Sequence, residues 1–107
     1  MKSIMKVELE YYLPEAQGLV DVVALGDKGE RLIGIEIALT NKYAHEADNI
    51  DKCLTAGFQK VISAAPNEII LKGIKQECLN RRINLEKVEF KLLQEFYSAI
   101  HKKPKQK

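Results

Sequence analysis

A chain of 107 residues, 46% apolar and 30% charged, is one globular domain with room for a single modest core. Its formal net charge of +2 is too weak to argue by itself for a nucleic-acid partner. No apolar run reaches the length of a membrane span, and the N-terminus lacks the apolar region and small-residue site of a signal peptide. Cys53 and Cys78 each sit in an apolar helical pattern without a CxxC or Cys/His partner at metal-ligand spacing. Both read as small reduced core residues, which fits a cytoplasmic protein with no membrane association.

In chain order, Met5 to Leu13 alternates, with Val7, Leu9 and Tyr11 on one side and Glu8, Glu10 and Tyr12 on the other, a half-buried strand. Pro14 to Gly18 breaks it. Leu19–Leu25 and Leu32–Leu39 are β-branched, apolar runs joined by Gly26-Asp27-Lys28-Gly29-Glu30, a hairpin signal. Thr40-Asn41 supplies an N-cap for a helix over Tyr43 to Ala56, whose apolar stripe is Ala47, Ile50, Cys53 and Leu54, with Gly57 at C′. Gln59 to Ala65 is a central strand, apolar on both sides. Pro66 opens a helix over Asn67 to Arg81 with Ile70, Ile74, Cys78 and Leu79 inward. Val88 to Leu92 reads as a last strand and Gln94 to His101 as a last helical turn or two. The fold class is therefore α/β (α+β): an antiparallel three-stranded meander, a crossover helix and a parallel fourth strand in one mixed sheet. Residues 1–101 form the domain, and 102–107 a basic tail that is either a solvated terminus or a phosphate-contacting arm.

Each strand of the hairpin carries one acid, Asp21 or Glu36. A two-residue Lys28-Gly29 loop pairs Leu25 with Leu32, Val23 with Gly34 and Asp21 with Glu36. The two carboxylates then stand opposite each other on one face, a destabilising arrangement unless something neutralises it. Alternation sends Val20, Val22, Ala24, Ile33, Ile35 and Ile37 into a strongly apolar layer, and Asp21, Val23, Gly34, Glu36 and Ala38 to the other face. The small neighbours Gly34 and Ala38 leave space beside Glu36. Two converging carboxylates suit Mg²⁺, which takes hard oxygen ligands and keeps several waters. The alternative is that each acid makes an ordinary salt bridge or lies on a solvated face. On the crossover helix, His45, Asn49 and Lys52 recur at i, i+4, i+7, a stripe that either leans over the acid pair or is a solvated helix face.

These residues resemble the PD-(D/E)xK nuclease superfamily, the restriction-endonuclease-like fold. The resemblance runs from Gly18 to Ala65: Val20-Asp21-Val22-Val23, then Ile35-Glu36-Ile37-Ala38-Leu39-Thr40-Asn41, then the helix with Asn49-Ile50-Asp51-Lys52-Cys53-Leu54, then Gly57-Phe58-Gln59-Lys60-Val61. More narrowly, it is similar to nuclease-like domains associated with bacterial and archaeal ATPases and mobile elements. The resemblance implies a fold, a substrate and roles. DNA would be hydrolysed at phosphodiester bonds with Mg²⁺ or Mn²⁺ held by Asp21 and Glu36. Lys52 would orient the attacking water or stabilise charge, and Thr40, His45 and Asn49 would contact substrate. An ATPase or other protein would be a partner. Two departures stand out. Ala38 occupies the place of the motif lysine, so Lys52, or Lys42, would substitute for it. The helix that opens the superfamily core is missing ahead of the first strand.

Three readings follow: a metal-dependent deoxyribonuclease; an inactive nuclease-fold module that binds DNA or a protein; and a homo-oligomer. The last would associate through an exposed apolar end made by Phe90, Phe96, Tyr97 and Ile100. A homodimer is compatible with the first reading, because cutting a duplex can use two copies of one site.

Overall fold

The computed structural model describes residues 3–100. The basic tail, and the side chains of Tyr97 and Ile100 in the apolar end, lie outside the described residues. Five strands, β1 (Lys6–Leu13), β2 (Gly18–Leu25), β3 (Arg31–Ile37), β4 (Lys60–Ala65) and β5 (Val88–Leu92), form one sheet in sequential order. Three helices, α1 (Tyr43–Thr55), α2 (Glu68–Asn80) and α3 (Leu93–Ile100), complete the described chain. β1, β2 and β3 are an antiparallel meander, and β4 and β5 each join in parallel. This is the mixed α+β sheet architecture expected from the element order.

The core lies between the sheet and the helix pair. Ile50 and Cys53 of α1 and Leu71, Ile74 and Cys78 of α2 are buried against Val23, Ala38, Val61 and Ala65 of the sheet. The helices therefore cover the acid-bearing face. The row expected to be the deep apolar layer is on the other side: Ile33 and Ile35 are only half-buried and Ile37 is exposed. Two-residue alternation identifies two faces but not which of them a helix will choose. Here helices pack closely on the face of small residues, and the bulky isoleucine row is left outside. Gly34 shows how close the approach is. A Cβ there would lie 3.3 Å from the Phe58 ring and 3.4 Å from the Cys53 sulfur. The space expected beside Glu36 at Gly34 is thus filled by core.

A second departure is a face exchange in the first two strands. Odd-numbered residues of β1 pass from exposed (Val7 61%, Leu9 72%) to half-buried Tyr11 and fully buried Leu13. Glu10 lies at the switch with φ of 50°, a left-handed conformation that re-aims every residue after it. The pairings on either side, Leu9 with Val22 and Tyr11 with Val20, bracket Asp21 on the neighbouring strand. Tyr11 then packs edge-on against Phe58, ring centroids 6.5 Å apart. Leu13, Val20 and Val23 all enter the one core.

Smaller differences are local. In the hairpin Val23 does pair with Gly34, but a register shift at Ala24/Leu25 sets Leu25 opposite Arg31 rather than Leu32. Gly26 N–H donates to the Glu30 carbonyl (2.9 Å), and the Lys28 N–H donates to the Glu30 side chain. The helix α1 begins after Lys42, with no side-chain cap from Thr40 or Asn41. Asn67 is the N-cap of α2, its Oδ1 accepting from Ile70 N–H at 2.9 Å, and Leu79 is half exposed rather than inward.

Candidate functional site

Glu36 sits near the C-terminal end of β3, level with Ser63 of the parallel strand β4, and α1 crosses above it. Its side chain is 97% shielded from solvent. Lys52 Nζ is 3.2 Å from Glu36 Oε2, and Cys53 Sγ lies 3.5 Å from the same oxygen. The ammonium is itself held: it donates to the Leu19 carbonyl (2.7 Å) and to Asn49 Oδ1 (3.2 Å). Its alkyl stem runs past Gly18, where a Cβ would be 3.5 Å from Lys52 Cδ. Long basic side chains bury their stems and usually keep the charge in water; here the charge instead meets a buried carboxylate.

Asp21 comes to the same place by another route. The paired ladder of β2 and β3 ends one residue before it, at Val22–Ile35. Its Oδ2 accepts the Ile37 N–H at 2.7 Å, which ties the carboxylate across the strand end just beyond Glu36. Asp21 is near enough for its charge to act on Glu36, but it is tied to the Ile37 N–H rather than paired with Glu36 in the ladder.

Burial pushes the Glu36 carboxyl up to about 7; the nearby Lys52 charge pulls it down, and Asp21 adds to the upward push. Cys53 is raised by the same burial and by the Glu36 charge, so it stays a neutral thiol. One acid of this cluster was not singled out from sequence as a site residue. Glu46 of α1 is buried to 8% exposure, accepts from Asn49 Nδ2 at 3.5 Å, and is held above the usual carboxylate range, first by burial. It also feels the Asp21 charge. Its signal was present in the sequence: Glu46, Asn49 and Cys53 recur at i, i+3, i+7, one helix face, with Lys52 beside it.

Of the expected site residues, the structure brings together Asp21, Glu36, Asn49 and Lys52. Thr40 is exposed in the β3–α1 connection, and His45 is exposed on the first turn of α1, beside Glu46 but on the solvent side. The stripe twists away from the acids at its N-terminal end because α1 lies flat on the sheet through Ala47 and Ile50, which turns position 45 outward.

A divalent cation fits this donor set in a limited way. The contacts of Glu36 fall on Oε2 and that of Asp21 on Oδ2, so Oε1 and Oδ1 have no hydrogen-bond donor among the described residues. Also among the described residues, no three His, Cys, Asp or Glu side chains form a ready metal cage. The protein could offer two hard oxygens, and water would complete the shell, the coordination Mg²⁺ favours. No family model, curated protein or solved structure matches the chain.

Proposed function

We propose that this domain hydrolyses phosphodiester bonds of DNA with Mg²⁺ or Mn²⁺ held between Asp21 and Glu36. The observation that carries the reading is the Lys52 ammonium 3.2 Å from Glu36, which supplies from α1 the cation that Ala38 does not. A bound Mg²⁺ would polarise a phosphoryl oxygen and acidify a water. The protein's own groups would do the rest. Asp21 and Glu36 would present their oxygens from a strand end fixed by the Ile37 N–H. The water oxygen would bond to phosphorus and lose a proton to solvent as the bond to the leaving deoxyribose oxygen breaks, and that oxygen would take up a proton from solvent. Lys52, oriented by Asn49 and the Leu19 carbonyl, would face the extra negative charge on the phosphoryl oxygens. Loss of one such preorganised charge costs about 100- to 1,000-fold in rate.

A second reading has its own observation. Lys52 already neutralises Glu36 inside the protein, so the pair is self-sufficient without a metal, as in a nuclease-fold module that binds DNA or protein without cutting. Cleavage of supercoiled, linear and single-stranded DNA with Mg²⁺, Mn²⁺ or EDTA separates the two. Metal-dependent cutting by wild type that disappears in Glu36→Ala is the expected result. No cutting of any substrate, or equal cutting by both proteins, favours the non-catalytic module.

A further inference from the structure

The face of the sheet turned away from α1 and α2 is apolar across β1, β2 and β3. Val7, Leu9, Val22, Ala24, Ile33, Ile35 and Ile37 lie on it by register; on β4 the row ends in Lys60 and in Ile62 and Ala64, which are buried. Val7 is 61%, Leu9 72% and Ile37 37% exposed, while Val22, Ile33 and Ile35 are half-buried. Met5 (63%) and Leu39 (67%) extend the same rows at the two ends. The helices α1 and α2 bury their apolar stripes on the opposite face.

We infer that this face is where a second copy of the chain docks, sheet against sheet, about a two-fold axis. Three observations select that occupant. The first is area. The exposed fractions of these aliphatic side chains leave on the order of 700 Å² of apolar surface, more than a monomer's largest patch usually shows and close to the ~800 Å² each partner contributes to a standard interface. The second is shape and chemistry. A two-fold interface must match itself, and a pleated face of aliphatic side chains interdigitates with an identical one at the ~10 Å spacing of packed sheets. The third is charge. At the β5 border of the face, Lys60 and Lys91 are both paired with Glu89, at 2.9 and 3.4 Å. A border whose charges are already matched neither repels its own copy nor selects a strongly charged partner.

This arrangement puts both helix layers, and with them both Glu36–Lys52 sites, on the outside of the dimer. Dimerisation is therefore separable from the proposed nuclease chemistry, and a failure of either does not touch the other. The interface also differs from the apolar end expected from Phe90 and Phe96, which belongs to β5 and α3.

Sedimentation equilibrium of the full chain and of Leu9→Glu and Ile33→Lys decides the point, with far-UV circular dichroism to check folding. Wild type should sediment as twice the 12.1 kDa chain mass. Each variant should keep its spectrum and dissociate with a constant raised on the order of 100-fold, because each places two unpaired charges in a dry contact. Should Ile33→Lys lose its fold, Leu9→Glu alone carries the test, since Leu9 is the most exposed of the set. A wild-type monomer at ~100 μM, where even a weak specific interface would associate, overturns the inference. So does a dimer that survives Leu9→Glu, which would move the contact to the β5–α3 end or to an edge strand.

Discussion

At the residue scale the protein is organised around one expensive group. Glu36 is buried beneath α1 with its carboxyl raised to about 7, against about 4.5 in an unfolded chain. Below pH 4.5 it is protonated in both states and costs nothing. Between 4.5 and 7 the unfolded chain releases the proton while the folded state keeps it, so stability falls as pH rises and the loss is complete above 7. A displacement of this size corresponds to at most about 3 kcal/mol. Urea midpoints at pH 5 and pH 8 should show wild type losing about 2–3 kcal/mol over that interval. Glu36→Gln should lack most of this slope, because the amide does not titrate. Glu46 contributes in the same direction to both proteins, so the difference between them isolates Glu36. Parallel pH profiles for the two would mean that burial does not raise Glu36. The position of this acid was legible: a lone glutamate in an isoleucine row has to be accounted for. That Asp21 would come near it was legible from the hairpin, even though the register slips at Leu25. The burial of Glu46 was less so: it shares a helix face with Asn49 and Cys53, but an acid in the first turn of a helix has a sufficient explanation in the helix dipole, and only the docking of α1 shows that it is buried.

At the element scale, strands announced themselves by β-branched runs and the parallel β3–β4 pair by the intervening helix. The faces did not. The choice of face depends on where α1 and α2 can come close, and the exchange in β1 and β2 depends on one backbone angle at Glu10 that composition does not encode. The close packing of α1 on α2 was equally invisible; the Tyr43 ring at the start of α1 lies against Gly73 in the middle of α2. A Cβ at Gly73 would lie 2.2–2.5 Å from carbons of the Tyr43 ring. Alanine in the middle of α2 should otherwise be worth about 1 kcal/mol over glycine. Against that, displacing the ring from its packed position costs about 1–3 kcal/mol. Gly73→Ala should therefore destabilise the protein by about 1 kcal/mol net. In a Tyr43→Ala background the same change should become stabilising by up to about 1 kcal/mol, a reversal of sign that a double-mutant cycle reads directly. If Gly73→Ala is stabilising in both backgrounds, the ring swings away freely and the close contact costs nothing to give up.

At the scale of the whole molecule, the question is what would hold a polyanion. Among the described residues half of the positive charge is already answered: Lys6 by Glu8, Arg31 by Glu15, Lys52 by Glu36, Lys60 and Lys91 by Glu89, Arg81 by Asp48 and Glu77. No helix of the described residues is long and apolar enough to cross a membrane. The largest block of unassigned positive charge in the sequence is at its end. Lys102, Lys103, Lys105 and Lys107 lie in residues 102–107. Deleting these residues takes Lys plus Arg from 17 to 13 against 15 acids, so the formal net charge passes from +2 to −2. Duplex binding by counterion release weakens with salt in proportion to the phosphates contacted, about 0.9 per contact on a logarithmic plot. If the tail is the phosphate-contacting arm, its removal should lower duplex affinity at least about tenfold at ~50 mM salt and reduce the salt slope by about 3. Fluorescence anisotropy with a labelled duplex across a salt series measures both quantities at once. An unchanged slope would make the tail a solvated terminus and move the search for a DNA contact to the exposed Arg82 after α2. It would do so without touching the Glu36 site, whose metal and pH behaviour are read in the absence of DNA.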